Sequence, residues 1–162
     1  MSNDVTFRLE PWSYVNREIE GLMWRHWGEN GQYREQVHLD INWDYYRVLD
    51  GTGYLKALCA RNETGELVGY YISNAHPSPH YKTTLFGHVD SYYLVPEYRA
   101  GANGLRMMMA YEKAMRDEMK RQARKSMVLI GRGRIDTNGP RVMEACGWTP
   151  AEICYTKLLE AS

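Results

Sequence analysis

Between Gly87 and Leu105 the chain passes from a β-patterned run, Gly87-His88-Val89-Asp90-Ser91-Tyr92-Tyr93-Leu94-Val95, through Pro96, across the loop Arg99-Ala100-Gly101-Ala102-Asn103-Gly104, and into a helical pattern beginning at Leu105. Proline stops a strand because it lacks the N–H that a ladder needs. Small side chains at Ala100, Gly101, Ala102 and Gly104 let a ligand come close to the backbone. The helix start then leaves about four backbone N–H groups unpaired and carries roughly half a positive charge, which suits a phosphate. A tight structural turn uses the same residue types, so the loop alone leaves both readings open.

The rest of the chain can be ordered around this segment. Val5 to Leu9 alternates apolar and polar side chains and is stopped by Pro11, as a short strand would be. Trp12, Val15, Ile19, Leu22, Met23 and Trp27 recur at helical spacing, and a second helix is expected from Asp40 to Leu49. Tyr54–Ala60 and Glu66–Ile72 flank the turn Asn62-Glu63-Thr64-Gly65 and form a hairpin. Asn74–Tyr81, with Pro77 and Pro79, is expected as a loop before a strand over Leu85–Val95. Leu105, Met108, Met109, Glu112, Met115 and Met119 mark the long helix after the loop, with a buried methionine stripe. Met127–Ile130 is an apolar run fit for a central strand, Pro140–Cys146 a short helix, and Glu152–Leu159 a last strand. The expected order is β-α-α-β-β-β-α-β-α-β, a mixed, mostly antiparallel central sheet flanked by helices in the α/β (mixed α+β) class. No repeat or linker divides the chain, so residues 1–162 are expected to form a single domain.

The Gly87–Leu105 segment resembles the acetyl-CoA-binding motif of the Gcn5-related N-acetyltransferases, in which a strand ending in V-x-P-x-[YW]-[RQ] leads into x-x-G-x-[GA] and a helix. Leu94 stands at the Val position, Pro96, Tyr98 and Arg99 match, and Gly104 matches the final small residue. Ala102 holds the place of the central glycine. The resemblance covers nearly the whole chain, including Asn138–Trp148, which looks like the family's short helix followed by G-[FW]. It implies acetyl-CoA as cosubstrate, contacted by Leu94, Val95, Arg99, Ala100, Gly101, Ala102, Asn103, Gly104, Leu105 and Asn138. The string Tyr98-Arg99-Ala100-Gly101-Ala102-Asn103-Gly104 also resembles acetyltransferase-like proteins carried by tailed phages.

Acyl transfer to an amine needs a base for the amine, a donor for the thioester oxygen, and preferably an acid for the leaving thiol. The resemblance implies a backbone N–H near Leu94 for the oxygen. Asp90 is the first choice for the base: four residues before Leu94 on an unbroken strand, it shares a face with Tyr92 and Leu94, and so does His88, the second choice. Relatives often carry a tyrosine on the short helix as acid, where this chain has Met143. Without it the thiolate would leave unassisted, be protonated by water, or use another phenol such as Tyr155. Strand-edge polar residues and a half-buried strand tyrosine are the plain alternatives for these three.

The acceptor is expected to be an amine-bearing small molecule or protein. Its pocket would come from the first two helices and the loop before the third strand; Trp12, Trp24, Trp27, Tyr33, Trp43, Tyr45 and Tyr46 crowd that half of the chain, where aromatics at helical spacing are more often core than pocket, with His26, Glu29, His38 and Asp40 as polar contacts. Twenty Lys+Arg balance twenty Asp+Glu, so no global positive field favours nucleic acid. Cys59, Cys146 and Cys154 are odd in number without CxxC spacing and are expected to be reduced core residues; no metal-ligand spacing appears. The absence of a signal region or a long apolar stretch predicts a cytoplasmic protein with no membrane partner. Dimerisation is common among relatives. Three functions stay open: an N-acetyltransferase, a CoA-dependent nucleobase-modifying enzyme of phage type, and a non-catalytic binding module with the same fold.

Overall fold

Among the described residues, five strands pair in the order β1-β2-β3-β4-β5. In the structure, a computed structural model describing residues 4–133, 137–152 and 154–159, these are β1 (Val5–Glu10), β2 (Leu55–Asn62), β3 (Leu67–Ser78), β4 (Tyr81–Leu94) and β5 (Ser126–Ile130). The first four are antiparallel, and β5 joins β4 in parallel. Helices α1 (Trp12–Asn30) and α2 (Trp43–Gly51) lie between β1 and β2 in sequence, α3 (Asn103–Arg121) precedes β5, and α4 (Gly139–Ala145) follows it.

Each face of the sheet buries its own core. On one, Trp12, Val15, Ile19, Leu22 and Met23 of α1 close over Tyr70 and Ile72. On the other, Met107, Met108, Tyr111 and Met115 of α3 close over Leu58, Tyr71 and Val89. Each such side chain contributes roughly 1.5–3 kcal/mol on burial, which fixes both helix layers against the sheet. The α3 stripe differs from the expected one: Met109 is 58% exposed, and Tyr111 takes a core position.

Several boundaries move for identifiable reasons. α2 starts at Trp43 because the Asn42 side chain accepts the Tyr45 N–H at 3.0 Å, capping the helix there. The expected loop over Asn74–Tyr81 is instead the tip of a long hairpin, with β3 running through Pro77. The proline is tolerated because β2 begins at Leu55, opposite Asn74. Ala75 donates its N–H to the Tyr54 carbonyl on that side. Two residues on, the missing N–H of Pro77 faces an edge with no partner.

β5 is an edge strand among the described residues rather than a central one, and Val128 and Ile130 are 43% and 38% exposed. The expected strand over Glu152–Leu159 does not form in its described part, residues 152 and 154–159; Ile153 lies outside the described residues. Thr156 bonds to Gln32 and Tyr33 just beyond α1, while Tyr155 and Leu159 stand exposed. β-propensity without an apolar surface beneath it does not make a strand. For the same reason Cys154 is exposed, whereas Cys59 is buried and Cys146 half-buried.

Candidate active site

β4 and β5 are paired only from Thr84 with Ser126 to His88 with Ile130. β5 ends there while β4 continues to Leu94, so the two strands part. A cavity of about 580 Å³ fills the gap, walled by β4 from Val89 to Leu94, the first turns of α3, and the segment entering α4. This is the carboxyl end of a parallel pair, where ligands commonly enter such sheets.

The loop beneath the cavity has the backbone its sequence suggests. Gly101 takes φ 74°, a left-handed conformation costly for other residues, while Ala102 takes φ −97°, which any residue adopts. The conformational demand therefore falls on Gly101, and alanine at 102 is unstrained. α3 starts with Ala102 as its cap residue, no side-chain cap bond and no acid in its first turn. Above Gly104 the space is open: a Cβ there would first meet Val142 at 4.0 Å. A helix N-terminus without a side-chain cap bond thus faces open space.

β4 carries a bulge where it lines the cavity. Ile72 pairs with Ser91 but Ser73 pairs with Val89, so Asp90 is an extra residue. The shared face expected for His88, Asp90 and Tyr92 is therefore corrected. Exposed His88 stacks on His76 with 5.2 Å between ring centroids. Burial, followed by the nearby His76 and Arg132, lowers its pKa. Beyond the bulge, Tyr92 stacks on Tyr71 at 5.4 Å and joins the α3 core. Asp90 turns toward α2, where the Tyr46 hydroxyl donates to its carboxylate at 3.3 Å. Burial, then the Asp90 charge, raises the Tyr46 pKa, so this phenol keeps its proton and remains a donor.

A second network pins the last turn of α1 to the end of β4. His26 shares a 2.8 Å hydrogen bond with the Tyr70 hydroxyl and stacks on Tyr93 at 4.9 Å. Tyr93 donates to Glu29, which also pairs with Arg99 at 2.6 Å. Arg99 donates its Nε–H to the Leu94 carbonyl at 2.6 Å and lies over the Tyr93 ring. Burial pushes the Glu29 carboxyl up, but the bonds from Tyr93 and Arg99 outweigh it and hold it below its ordinary value. Tyr93 is pushed up to about 12 by burial and by Glu29. This closed set of charges fixes the strand end rather than leaving Arg99 as a loose cation.

Of the residues singled out from sequence, Asp90, Leu94, Arg99, Gly104 and Asn138 line the cavity, and so does His26. Val95 is buried in the α1-side core, and Asn103 is buried with its amide donating to the Tyr98 carbonyl at 3.2 Å. Ala100, Gly101 and Ala102 are exposed on the loop, and Leu105 is half-buried. Tyr155 is 86% exposed on the C-terminal segment and does not reach the cavity. Tyr46 stacks on buried Trp12, and Trp43 tilts against both at the edge of the core, whereas Trp24 and Tyr45 face outward. Sequence reasoning missed Tyr46 as the partner of Asp90, the Tyr93–Glu29–Arg99 network, and Tyr92.

Against solved structures, the whole chain aligns with acetyltransferases. A ribosomal-protein-alanine N-acetyltransferase from Brucella melitensis biovar Abortus 2308 is 19% identical with a TM-score of 0.65, over 97% of this chain and 100% of that one. This is an acetyltransferase fold. An aminoglycoside acetyltransferase from an uncultured soil metagenomic sample reaches a TM-score of 0.70 at 8% identity, over 98% and 99% of the two chains. A predicted acetyltransferase from Clostridium acetobutylicum, solved with acetyl-CoA, has a TM-score of 0.66 at 14% identity, over 96% of each chain. No protein-family model matches the sequence, and no curated protein matches it either. The acetyltransferase fold thus persists at identities where the sequence alone is no longer similar. No helix among the described residues is long and apolar enough to cross a membrane.

Proposed function

We propose that the protein is an acetyl-CoA-dependent N-acetyltransferase that passes the acetyl group directly to a primary amine. The observation that carries this reading is one continuous cavity from Gly104, at the uncapped start of α3, past Leu94 to Asp90. The residues fit the cosubstrate. Backbone N–H groups from Gly101 to Leu105 meet the diphosphate where the helix dipole favours negative charge, and the parted strands hold the thiol arm. Acetyl-CoA supplies an acyl group activated as a thioester.

Asp90 takes the proton from the attacking amine. Its bulged position turns it toward α1 and α2, the side from which an acceptor approaches, and the Tyr46 hydroxyl orients it. A positioned base of this kind is worth about 10²–10⁴ in rate. A backbone N–H near Leu94 serves the thioester oxygen, with the strand end held by Arg99.

The test is amine-dependent release of CoA thiol by the purified protein. The amine panel takes in an aminoglycoside and a peptide with N-terminal alanine, acceptor types named for the fold relatives. Thiol release that rises with one amine and yields its acetylated product supports the reading. Acetyl-CoA that stays bound and intact with every amine favours a binding module on the same fold.

A further inference from the structure

Acyl transfer asks for different chemistry on the two sides of the acyl carbon. The amine needs a base, and the departing sulfur needs a donor for the electron pair it carries away. With acetyl-CoA entering from the α3 N-terminus as read above, its sulfur would lie on the α3 side of the acyl carbon, away from Asp90, which faces α2. On that side Tyr92 lines the cavity and packs against the α3 core.

Building on the acetyl-transfer reading above, we propose that the Tyr92 hydroxyl is the hydrogen-bond donor that receives the departing thiolate. The phenol projects from β4 at the wall of the cavity. It reaches Gly139 at the start of α4 so closely that a Cβ on Gly139 would collide with its hydroxyl. The ring is held on Tyr71, which is held in turn on Tyr111 at 4.1 Å, a three-ring stack that fixes where the hydroxyl points. Two phenols line the cavity. Tyr93 has committed its proton to Glu29, whereas no hydrogen bond among the described residues engages the Tyr92 hydroxyl. Burial raises the Tyr92 pKa, so the group is a donor throughout the neutral range.

The bulge at Asp90 is what makes the division of labour geometrically possible. On a regular strand, residues 90 and 92 would share a face. The extra residue turns the carboxylate to the acceptor side and leaves the phenol on the cosubstrate side. In the step itself the amine nitrogen bonds to the acyl carbon and the C–S bond breaks, its electron pair staying on sulfur. Tyr92 donates its O–H to that thiolate, and Asp90 carries away the amine's proton. A phenol near 10 is a weaker acid than a thiol near 8.5, so Tyr92 keeps its proton and the thiol is protonated from solvent as it leaves.

The experiment reads the thiol directly and needs no acceptor. CoA is bound to the full-length protein, and its ionisation is followed by difference absorbance across pH against the complex with desulfo-CoA. In the wild type the bound thiol titrates about one pH unit or more below free CoA. Tyr92→Phe brings it back to the free value, as does Gly139→Ala, which displaces the hydroxyl without removing it. Exposed Tyr155→Phe leaves it lowered. With an acceptor present, Tyr92→Phe lowers kcat about 10-fold or more while KM for acetyl-CoA stays within about twofold. If CoA does not bind, the acetyl-transfer reading falls and Tyr92 falls with it. If CoA binds and its thiol titrates alike in wild type and Tyr92→Phe, the role of Tyr92 alone is overturned.

Discussion

At the scale of single residues, the site depends on side chains whose partners leave them one thing to do. Arg99 is consumed by Glu29 and the Leu94 carbonyl, and Tyr93 by Glu29, so both act as structure at the strand end. Asp90, by contrast, is exposed on the cavity wall with the Tyr46 hydroxyl holding it from behind. Asp90→Asn keeps that hydrogen bond and removes the proposed base. It should lower kcat about 100-fold while leaving acetyl-CoA affinity within about twofold, a split measured by steady-state kinetics beside calorimetry. A fully active Asn variant would transfer the proton to water. The carboxylate could be picked out from sequence because its distance from the proline stop was readable. The direction in which it points was not, since a bulge is decided by how β3 and β4 pair and not by residue 90 itself.

At the scale of elements, α3 is the part that must not move, because it carries the loop at one end and a charged anchor at the other. Glu118, 7% exposed near its C-terminus, bonds to Lys56 of β2 at 2.7 Å and to Arg121 at 2.6 Å. The Arg121 hydrogen bond, followed by Lys56 and Gln122 and working against burial, holds its carboxyl down from 4.5 to about 2. A depressed carboxyl stabilises the fold fully above its unfolded value and loses that contribution as pH falls through its folded value. Wild-type stability should therefore decline between about pH 4.5 and 2. Glu118→Gln leaves the Lys56 ammonium half-buried without its counter-charge and should cost about 2 kcal/mol or more at neutral pH. The acid decline should also be shallower, with Glu10 and Arg61 supplying what slope remains, since Glu10 is held near 2 as well. Urea midpoints measured across pH test both statements. An unchanged acid limb in the variant would show that Glu118 is not a linkage site. The helical spacing of α3 was legible from the sequence, but this anchor was not, because Lys56 and Glu118 lie 62 positions apart and nothing local pairs them.

At the scale of the whole molecule, the element order through α4 was readable because periodicity and stop signals agree along most of the chain. Disagreement came where tertiary context decides. Pro77 looked like a loop residue until the short β2 left its side of β3 unpaired, and the segment expected as a strand over 152–159 forms none in residues 152 and 154–159, which are mostly exposed. Both departures leave the cavity untouched, since it is walled by β4, α3 and the start of α4. The central claim is that this cavity and the α3 N-terminus together bind acetyl-CoA. The most direct measurement is a calorimetric titration of wild type and Gly104→Glu with acetyl-CoA, with circular dichroism on both proteins. Space above Gly104 is open, so the variant should keep its fold while placing a carboxylate where the diphosphate would lie. The account predicts micromolar binding to the wild type and a loss of about 100-fold or more in the variant, equivalent to roughly 3 kcal/mol or more. Equal affinity in two equally folded proteins, or no binding to either, would contradict it.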